Sequence, residues 1–354
     1  MIMRRSYSVV VLTLLLLILP ALWGCNTVLG SPPTPTGPIN TPTPQPPLIT
    51  SANVGQLTLV RSFDACHGGG LAWSPDSHFL AAGITTTVQL WDVSSGTLLR
   101  IFKALPPTAA PDTFIPNISN VAFAPDGQTI ASGPGSMIRR WRVADGTPLP
   151  PLGSEENTGF FNVQFAPDGQ TLAATAEVGV HLWHIADGTP LLPLDNHHND
   201  LESIVFAPDS RLMAAGYESG QVALWQFPGG ALQRRLSSFP NPTIPMAFTS
   251  DGQILAGGGG DGGVRLWRVG DGTLVRTLTG PTRNIVSLSF TPDGQLLVAG
   301  SQDDTVRVWR MSDGTLLRTF SGDQVVPYDA GFTPDGRLLA ICMGAGRLGL
   351  WGVR

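Results

Sequence analysis

The sequence predicts an all-β fold, a seven-bladed β-propeller of four-stranded antiparallel blades. Two regular markers carry this prediction: seven tryptophans, spaced first by 50 and then by 42 residues, and an aromatic residue 18 or 19 positions before each of them. Such a period indicates tandem units that bury a core only by stacking on one another. The tryptophans are Trp91, Trp141, Trp183, Trp225, Trp267, Trp309 and Trp351, and the preceding aromatics are Trp73, Phe123, Phe165, Phe206, Phe248, Phe290 and Phe332.

The sixth repeat shows how one unit is built. Ile285–Phe290 is a short apolar run, and residues 291–294 (TPDG) then read as a tight turn, since Pro presets φ and Gly accepts a positive φ. Three further strand-like runs follow at 295–300, 305–311 and 315–320. No stretch keeps a 3.6-residue period, so we expect four antiparallel strands and no helix.

The segment GQLTLVRSF at residues 55–63 repeats the last strand of the unit without the three strands that should precede it. The same phrase ends complete repeats at 96–102, 272–278 and 314–320. The seventh repeat, in turn, reaches Arg354 after only three strands. We therefore predict that strand 55–63 completes the seventh blade and closes the ring, which leaves neither strand edge open.

Most repeats share a Pro-Asp-Gly turn after the first strand and a third strand ending in Leu-Trp or Val-Trp. With the 42-residue period, these motifs resemble WD40 repeats, and the resemblance covers residues 55–354. It implies a propeller that serves as a protein-interaction platform. The family's Trp-Asp pair occurs only at Trp91-Asp92, and its Gly-His pair is almost absent, with His197 as the best positional match. We therefore expect an incomplete His–Ser–Asp–Trp hydrogen-bond network, and blades stabilised by packing of the aromatic markers.

Residues 1–24 have the composition of a secretory signal peptide. Arg4 and Arg5 give a positive start, and Val9–Leu19 is an apolar run shorter than a membrane-spanning helix. The sequence Leu-Trp-Gly-Cys that ends at Cys25 resembles the bacterial lipobox, which implies that Cys25 is lipidated and becomes the mature N-terminus. The alternative is an uncleaved membrane anchor. In both cases we predict an extracytoplasmic protein anchored to the bacterial cell membrane.

Residues 25–54 are predicted to be the lipidated cysteine and a Pro/Thr-rich linker. Eight of the seventeen residues at 31–47 are proline, and none is charged. Such a segment cannot bury a core and favours an extended conformation, so it is predicted to act as a spacer. The folded domain is predicted to span residues 55–354.

Composition and motifs argue against several function classes. The net charge is −5, and Lys103 is the only lysine, so nucleic-acid binding is not expected. The sequence has no nucleophile-elbow, zinc-protease or phosphate-loop motif, and we predict a non-catalytic protein without a cofactor. His197 and His198 are adjacent in a loop, where two side chains rarely converge, so no metal site is predicted.

The loops between blades and the turns between second and third strands open on one face of a propeller, and several of them are unlike the other repeats. They place aromatic and charged residues there, a composition that suits a protein-binding surface. The alternative is that the aromatic residues fill gaps between blades. The predicted partner-binding residues are Phe114, Glu155, Glu156, Phe160, Phe161, His197, His198, Phe239, Arg283 and Tyr328.

Cys66 and Cys342 fall in the first and last blades, which are neighbours in a closed ring. An extracytoplasmic compartment permits a disulfide between them. Two buried thiols are the alternative.

These observations predict a monomeric, non-catalytic propeller at the membrane surface that binds unidentified protein partners. A second hypothesis is a propeller that binds or processes a small extracellular ligand, such as a sugar or cell-wall fragment, in a polar pocket at the mouth of the axial channel. A purely structural envelope component is a third.

Overall fold

The computed structural model describes residues 45–354, apart from short gaps. The gaps are 67–69, 104–117, 119, 134, 136, 154–158, 177–178, 192–200, 241–242 and 323–324, and the side chains of 161, 243–244 and 325–328 are likewise outside the description. The predicted signal peptide, Cys25 and most of the predicted linker lie outside the described residues. Residues 45–354 form one compact unit.

Seven small antiparallel sheets follow one another along this unit, which confirms the predicted propeller. Within the described residues, six sheets have four strands, while the third, whose last strand would run into the undescribed segment 192–200, has three strands and an isolated bridge between Trp183 and Pro190. Each sheet is one blade, numbered here in chain order. The first strands of successive blades are neighbours, so the blades stand side by side around an axis.

Blades 1 to 4 contain fifteen strands. In blade 1 they are β2 (Leu71–Trp73), β3 (Phe79–Ile84), β4 (Thr87–Asp92) and β5 (Leu98–Lys103), and in blade 2 β6 (Val121–Phe123), β7 (Thr129–Ser132), β8 (Met137–Arg142) and β9 (Pro148–Gly153). Blade 3 has β10 (Phe160–Phe165), β11 (Thr171–Ala176) and β12 (Val180–His184), and blade 4 has β13 (Leu201–Phe206), β14 (Leu212–Tyr217), β15 (Val222–Gln226) and β16 (Leu232–Arg235).

Blades 5 to 7 contain the remaining twelve strands. Blade 5 has β17 (Thr243–Phe248), β18 (Ile254–Gly259), β19 (Val264–Arg268) and β20 (Leu274–Leu278), and blade 6 has β21 (Ile285–Phe290), β22 (Leu296–Ser301), β23 (Thr305–Arg310) and β24 (Leu316–Ser321). Blade 7 has β25 (Val325–Phe332), β26 (Leu339–Met343), β27 (Arg347–Gly352) and the N-terminal strand β1 (Thr58–Phe63).

Strand β1 closes the ring as predicted. It pairs antiparallel with β27, the third strand of blade 7, and Leu59 lies opposite Trp351. Leu274 and Leu316 occupy the same place opposite Trp267 and Trp309, so β1 has the register of a fourth strand. The first and last strands of the described unit therefore complete one sheet.

The turns between first and second strands follow the predicted chemistry. In blade 6, Asp293 Oδ1 accepts hydrogen bonds from Thr291 Oγ1 (2.6 Å) and from the backbone N–H of Gln295 (3.0 Å). Gly294 has a φ of +67°, the left-handed region that glycine adopts without strain. The Pro-Asp-Gly sequence is therefore explained by the turn geometry.

The repeated phrase at the end of each unit supplies an aromatic contact across the blade boundary. Phe63 at the end of β1 stacks on Trp91 of blade 1, with ring centroids 5.3 Å apart. Phe102 packs on Trp141 of the next blade at 5.7 Å, and Phe320 packs on Trp351 at 5.1 Å. The fourth strand of one blade thus covers the tryptophan of the following blade.

The folded unit begins before the predicted boundary at residue 55. Ile49 and Val54 are buried in the same apolar cluster as Phe332 of blade 7. The N–H of Ile49 donates to Gly336 O at 2.9 Å, and Arg337 Nη1 donates to Pro46 O at 2.5 Å. The sequence placed 46–54 in the linker because of its prolines and polar residues, whereas its few apolar side chains suffice to dock it on blade 7.

In the part of the chain that the structure describes, helical structure is limited to two single 3₁₀ turns, Val54–Gln56 and Gly344–Gly346. Within the described residues, no helix has the length and apolar character needed to cross a bilayer.

Candidate interaction surface

Antiparallel blades give the ring two unlike ends. The turns between first and second strands and between third and fourth strands lie at one end, here called the turn face. The turns between second and third strands and the connections between blades lie at the other, the loop face. The predicted partner-binding residues belong to segments of the loop face.

Arginine side chains bind neighbouring blades together on the turn face. Arg100 on β5 donates from Nη1 to Asp145 O (2.6 Å) and from Nη2 to Ala144 O (3.0 Å) in the third-to-fourth strand turn of blade 2. Gly146 in that turn has a φ of +78°, and a Cβ there would lie 2.8 Å from Arg100 Cδ, so a larger residue would be strained and would displace the arginine. Equivalent bonds join Arg234 to Asp271, Arg276 to Asp313, and Arg318 to Val54 and Gly55.

The aspartates of these turns are bound within their own turns. The backbone N–H and side chain of Thr147, together with Arg142, lower the pKa of Asp145 to about 2. Thr273 and Arg268 act in the same way on Asp271 and lower its pKa to about 2. These carboxylates are ionised at neutral pH and already accept hydrogen bonds from donors in their own turns. The polar groups of the turn face are therefore largely hydrogen-bonded within the protein.

Blade 2 makes the inter-blade contact from a different strand. Its fourth strand has Pro150 where five other blades have arginine, and Arg140 stands on the third strand instead. Arg140 is 6% exposed, and it donates from Nε and Nη2 to Pro150 O and from Nη1 to Ile185 O of blade 3. A guanidinium moved to the neighbouring strand therefore still reaches the next blade.

On the loop face, Phe160 and Phe239 are not available to a partner. Phe160 is 2% exposed and meets Trp183 edge-on, with ring centroids 5.3 Å apart. Phe239 is 3% exposed and packs in the same manner on Trp267 at 5.6 Å. Their prediction as partner-binding residues is therefore wrong, and for these two the gap-filling alternative is correct. Each ring gains more by covering a tryptophan than by facing water.

The sequence signal that could have indicated burial of Phe160 and Phe239 is the lack of another aromatic residue to cover the tryptophan of the same blade. Blades 3 and 5 are preceded by fourth strands that lack a terminal Phe at the position of Phe102 and Phe320. Leu236 occupies this position before blade 5, and Phe239, three residues later, supplies the aromatic contact.

Arg283 is an exposed side chain on the loop face between blades 5 and 6. Two ion pairs at equivalent positions flank it: Arg265 with Asp261 (2.9 Å) and Arg307 with Asp303 (2.9 Å). Burial raises the pKa of Asp303, but hydrogen bonds from Thr305 and Thr282 and the Arg307 guanidinium outweigh this effect and lower the pKa to about 2. This part of the loop face is a rigid, charged surface.

Arg265 also lies over the Phe239 ring, with Cζ 4.1 Å from the ring centroid. The buried aromatic and the charged pair above it therefore support each other. Neither ion pair is among the residues that the sequence predicts for this surface.

The other predicted partner-binding residues lie outside the described part of the chain. Phe161 is in β10 and Tyr328 is in β25, but their side chains are not described. The remaining residues are Phe114, Glu155, Glu156, His197 and His198. Among the described residues, no three His, Cys, Asp or Glu side chains are close enough to share a metal ion.

The sulfur atoms of Cys66 and Cys342 are bonded to each other, with Cα atoms 5.7 Å apart. The bond joins the segment after β1 to β26, so it fastens the closing strand to the blade it completes. Beside this seam, Asp329 of blade 7 accepts a hydrogen bond from the N–H of Leu71 in blade 1 at 3.0 Å. Burial raises the pKa of Asp329 to about 6.

An open groove of about 580 Å³ lies between blades 4 and 5 on the turn face. None of its lining residues belongs to an innermost strand, so it is not the pocket at the channel mouth that the ligand-binding hypothesis requires. Its lining includes Pro208, Asp209, Leu212, Asp251, Gln253 and Arg268.

A family model described as "WD domain, G-beta repeat" matches residues 58–92, 188–226, 246–268 and 272–310. The first match begins on β1 and ends just after Trp91, so the isolated phrase is read as part of a repeat. The chain contains WD40 repeats. No curated protein sequence matches it. WD40 propellers typically act as protein-interaction scaffolds and are generally non-catalytic.

This WD40 propeller replaces much of the hydrogen bonding around its tryptophans with packing. The indole N–H groups of Trp91, Trp225 and Trp351 are buried and have no acceptor among the described residues. Trp267 Nε1 does have one, Ser237 Oγ at 2.8 Å. Aromatic contacts cover Trp91, Trp141, Trp183, Trp267 and Trp351, in keeping with the predicted packing of the markers. Trp309 is instead buried among aliphatic side chains that include Leu278.

Proposed function

We propose that this WD40 propeller is a non-catalytic protein-interaction platform that binds its partner through the loop face. The observation that carries the proposal is the contrast between the two faces. The turn face is occupied by repeated arginine–carbonyl bonds and by aspartates held in their own turns. The loop face carries the connections that differ from blade to blade and the exposed guanidinium of Arg283.

An exposed arginine with no ion pair among the described residues is a suitable anchor for a protein partner, because arginine is enriched at interface hot spots. Arg283 meets this description, and the rigid pairs beside it limit the entropy lost when a partner binds.

The test is partner capture by charge reversal. Arg283→Glu is expected to reduce recovery of a cross-linked partner from intact cells at least about tenfold, since losing a hot-spot residue costs 2 kcal/mol or more. Arg211→Glu is the matched control: Arg211 is an exposed arginine without an ion pair among the described residues, but it lies on the turn face. Loss of the partner with Arg211→Glu and not with Arg283→Glu would overturn the assignment of the face.

We also propose that the propeller is tethered to the outer side of a bacterial membrane by lipid on Cys25. The support is the signal-peptide composition, the lipobox-like sequence and the proline-rich spacer before residue 45. Metabolic labelling with an alkyne fatty acid should mark the wild-type protein and not Cys25→Ala. Equal labelling of both would contradict lipidation at this residue.

A further inference from the structure

Exposed apolar side chains of this propeller are concentrated on its outermost strands. Ten large hydrophobic residues are exposed in the described part of the chain, and nine of them lie on fourth strands. Six of the ten belong to the docked N-terminal segment, to β1, or to β5 of the adjacent blade. They are Leu48, Leu59, Val60, Leu98, Leu99 and Ile101.

Strand β1 also carries an unusual set of charges for an acidic protein. Arg61 is on the strand, Arg347 donates to Ser62 Oγ, and Arg354 donates to Leu59 O at 3.3 Å. None of the three forms an ion pair with a carboxylate of the described residues. Leu59, Val60, Arg61, Arg347 and Arg354 together are called the β1 rim.

Carboxylates near the β1 rim do not cancel this positive charge. Asp335 of blade 7 is directed to Arg337, 3.8 Å from its Nε. Asp329 is on the innermost strand, at the seam with blade 1. Asp64 follows β1 and is the exposed carboxylate closest to it in sequence. Arg61 Cδ lies 3.0 Å from where a Cβ of Gly96 would stand, so Arg61 packs on the blade 1 turn that contains Asp92. Asp92 Oδ1 accepts hydrogen bonds from Ser94 and Ser95 of its own turn.

The chain that precedes the described unit reaches the propeller at this same blade. Pro46 is bound by Arg337, and Leu48 lies against Gly336, within 3.8 Å of where a Cβ would stand. A tether that runs to a membrane from residue 45 would therefore be attached to the propeller at blade 7.

From these observations we propose that the β1 rim is a membrane-contact surface that binds anionic phospholipid. This proposal rests on the proposed tether. Apolar side chains flanked by arginine are the composition that binds the interface of an anionic bilayer, since the apolar groups enter the headgroup boundary and the cations pair with phosphate. Contact through the rim holds the ring edge-on, so that the loop face stays open to a partner.

The test uses residues 45–354, which contain every described strand and core cluster and lack Cys25. This unit should bind vesicles of phosphatidylglycerol and phosphatidylethanolamine, more weakly as salt is raised, because screening weakens the arginine–phosphate attraction. Leu59→Ser/Val60→Ser should lower its partition at least about tenfold, since each buried side chain contributes a tenfold factor or more.

Leu274→Ser/Val275→Ser is the matched control, because these residues have the same register in blade 5 and are exposed by 42% and 45%. It should bind as the wild type does, and both variants should keep the wild-type melting temperature. Absence of vesicle binding by the wild-type unit, or equal loss in both variants, would overturn the proposal. Flotation of the full chain with and without Cys25→Ala tests the tether separately.

Discussion

At the scale of single residues, Arg140 shows how one repeat departs from the others without losing a contact. In four blades a Leu on the third strand lies opposite an arginine on the fourth strand. In blade 6, Val308 takes the place of the Leu. Blade 2 reverses the arrangement: Arg140 on the third strand lies opposite Leu149 on the fourth, and the next residue, Pro150, stands at the repeat position of the arginine. The pairs are Leu90–Arg100, Leu224–Arg234, Leu266–Arg276, Val308–Arg318 and Leu350–Arg61.

Arg140→Leu should therefore destabilise the fold by about 1–3 kcal/mol, because Pro150 O and Ile185 O lose their donor. Adding Pro150→Arg should recover most of this loss by restoring the Leu–Arg pair of the other blades. Urea denaturation measures both changes. A double variant no more stable than the single one would contradict the equivalence of the two arrangements.

Asp329 makes folding depend on pH. Its folded pKa is about 6, above the ordinary value of 3.8. Between these values the folded state keeps a proton that the unfolded state has lost, so this carboxyl favours folding at low pH and loses that effect as pH rises through about 6. Asp329→Asn should stabilise the protein at pH 7 and make no comparable gain near pH 4.

An amide is suited to this position because Asn120, at the equivalent site of blade 2, accepts from Val163 N at 3.3 Å. Thermal melts of wild type and variant from pH 4 to pH 7 give the comparison. A stability difference that is the same at every pH would show that the Asp329 carboxyl does not titrate in this range.

At the scale of elements, β1 behaves as a fourth strand with its own covering aromatic. Phe63→Ala should cost about 3–5 kcal/mol, similar to Phe102→Ala, because both rings cover the tryptophan of the next blade. Chemical denaturation of the two variants provides the comparison. A much smaller loss for Phe63→Ala would mean that β1 is held less firmly than the interior strands.

The disulfide should add to this closure. Replacing Cys66 and Cys342 by Ala should lower stability by about 2–5 kcal/mol, because the unfolded chain is no longer cross-linked across a separation of 276 residues. Dithiothreitol should lower the melting temperature of the wild type and leave that of the double variant unchanged. A reductant effect of equal size on both proteins would point away from this bond.

The repeat made most of these elements predictable. Seven copies in one chain fix the strands, the turns and the place of β1, because each copy is a comparison for the others. Features that occur once had no such comparison. The inward turn of Phe160 and Phe239, and the docking of Ile49 on blade 7, depend on contacts between distant parts of the chain. The sequence does not indicate which distant residues a single apolar side chain in a proline-rich segment will contact.

At the scale of the whole molecule, the two faces of the ring have different roles. Arginine–carbonyl bonds tie successive blades together on the turn face, so that face is part of the architecture. The sequence identified the loop face from its irregular connections, but it could not separate residues that face solvent from those that fill the seams. In the described region, Arg283 is exposed, whereas Phe160 and Phe239 are buried and do not belong to the binding surface.

Closure of the ring by β1 is the central structural claim, because it sets the blade number and keeps the adjoining seams intact. Deleting residues 55–63 removes the partner of β27 and the ring over Trp91, so blades 7 and 1 are both weakened. The most direct test is the melting temperature of the protein with and without this segment. A large fall in the transition of the whole domain is expected, whereas an unchanged melting temperature would contradict a ring closed by β1.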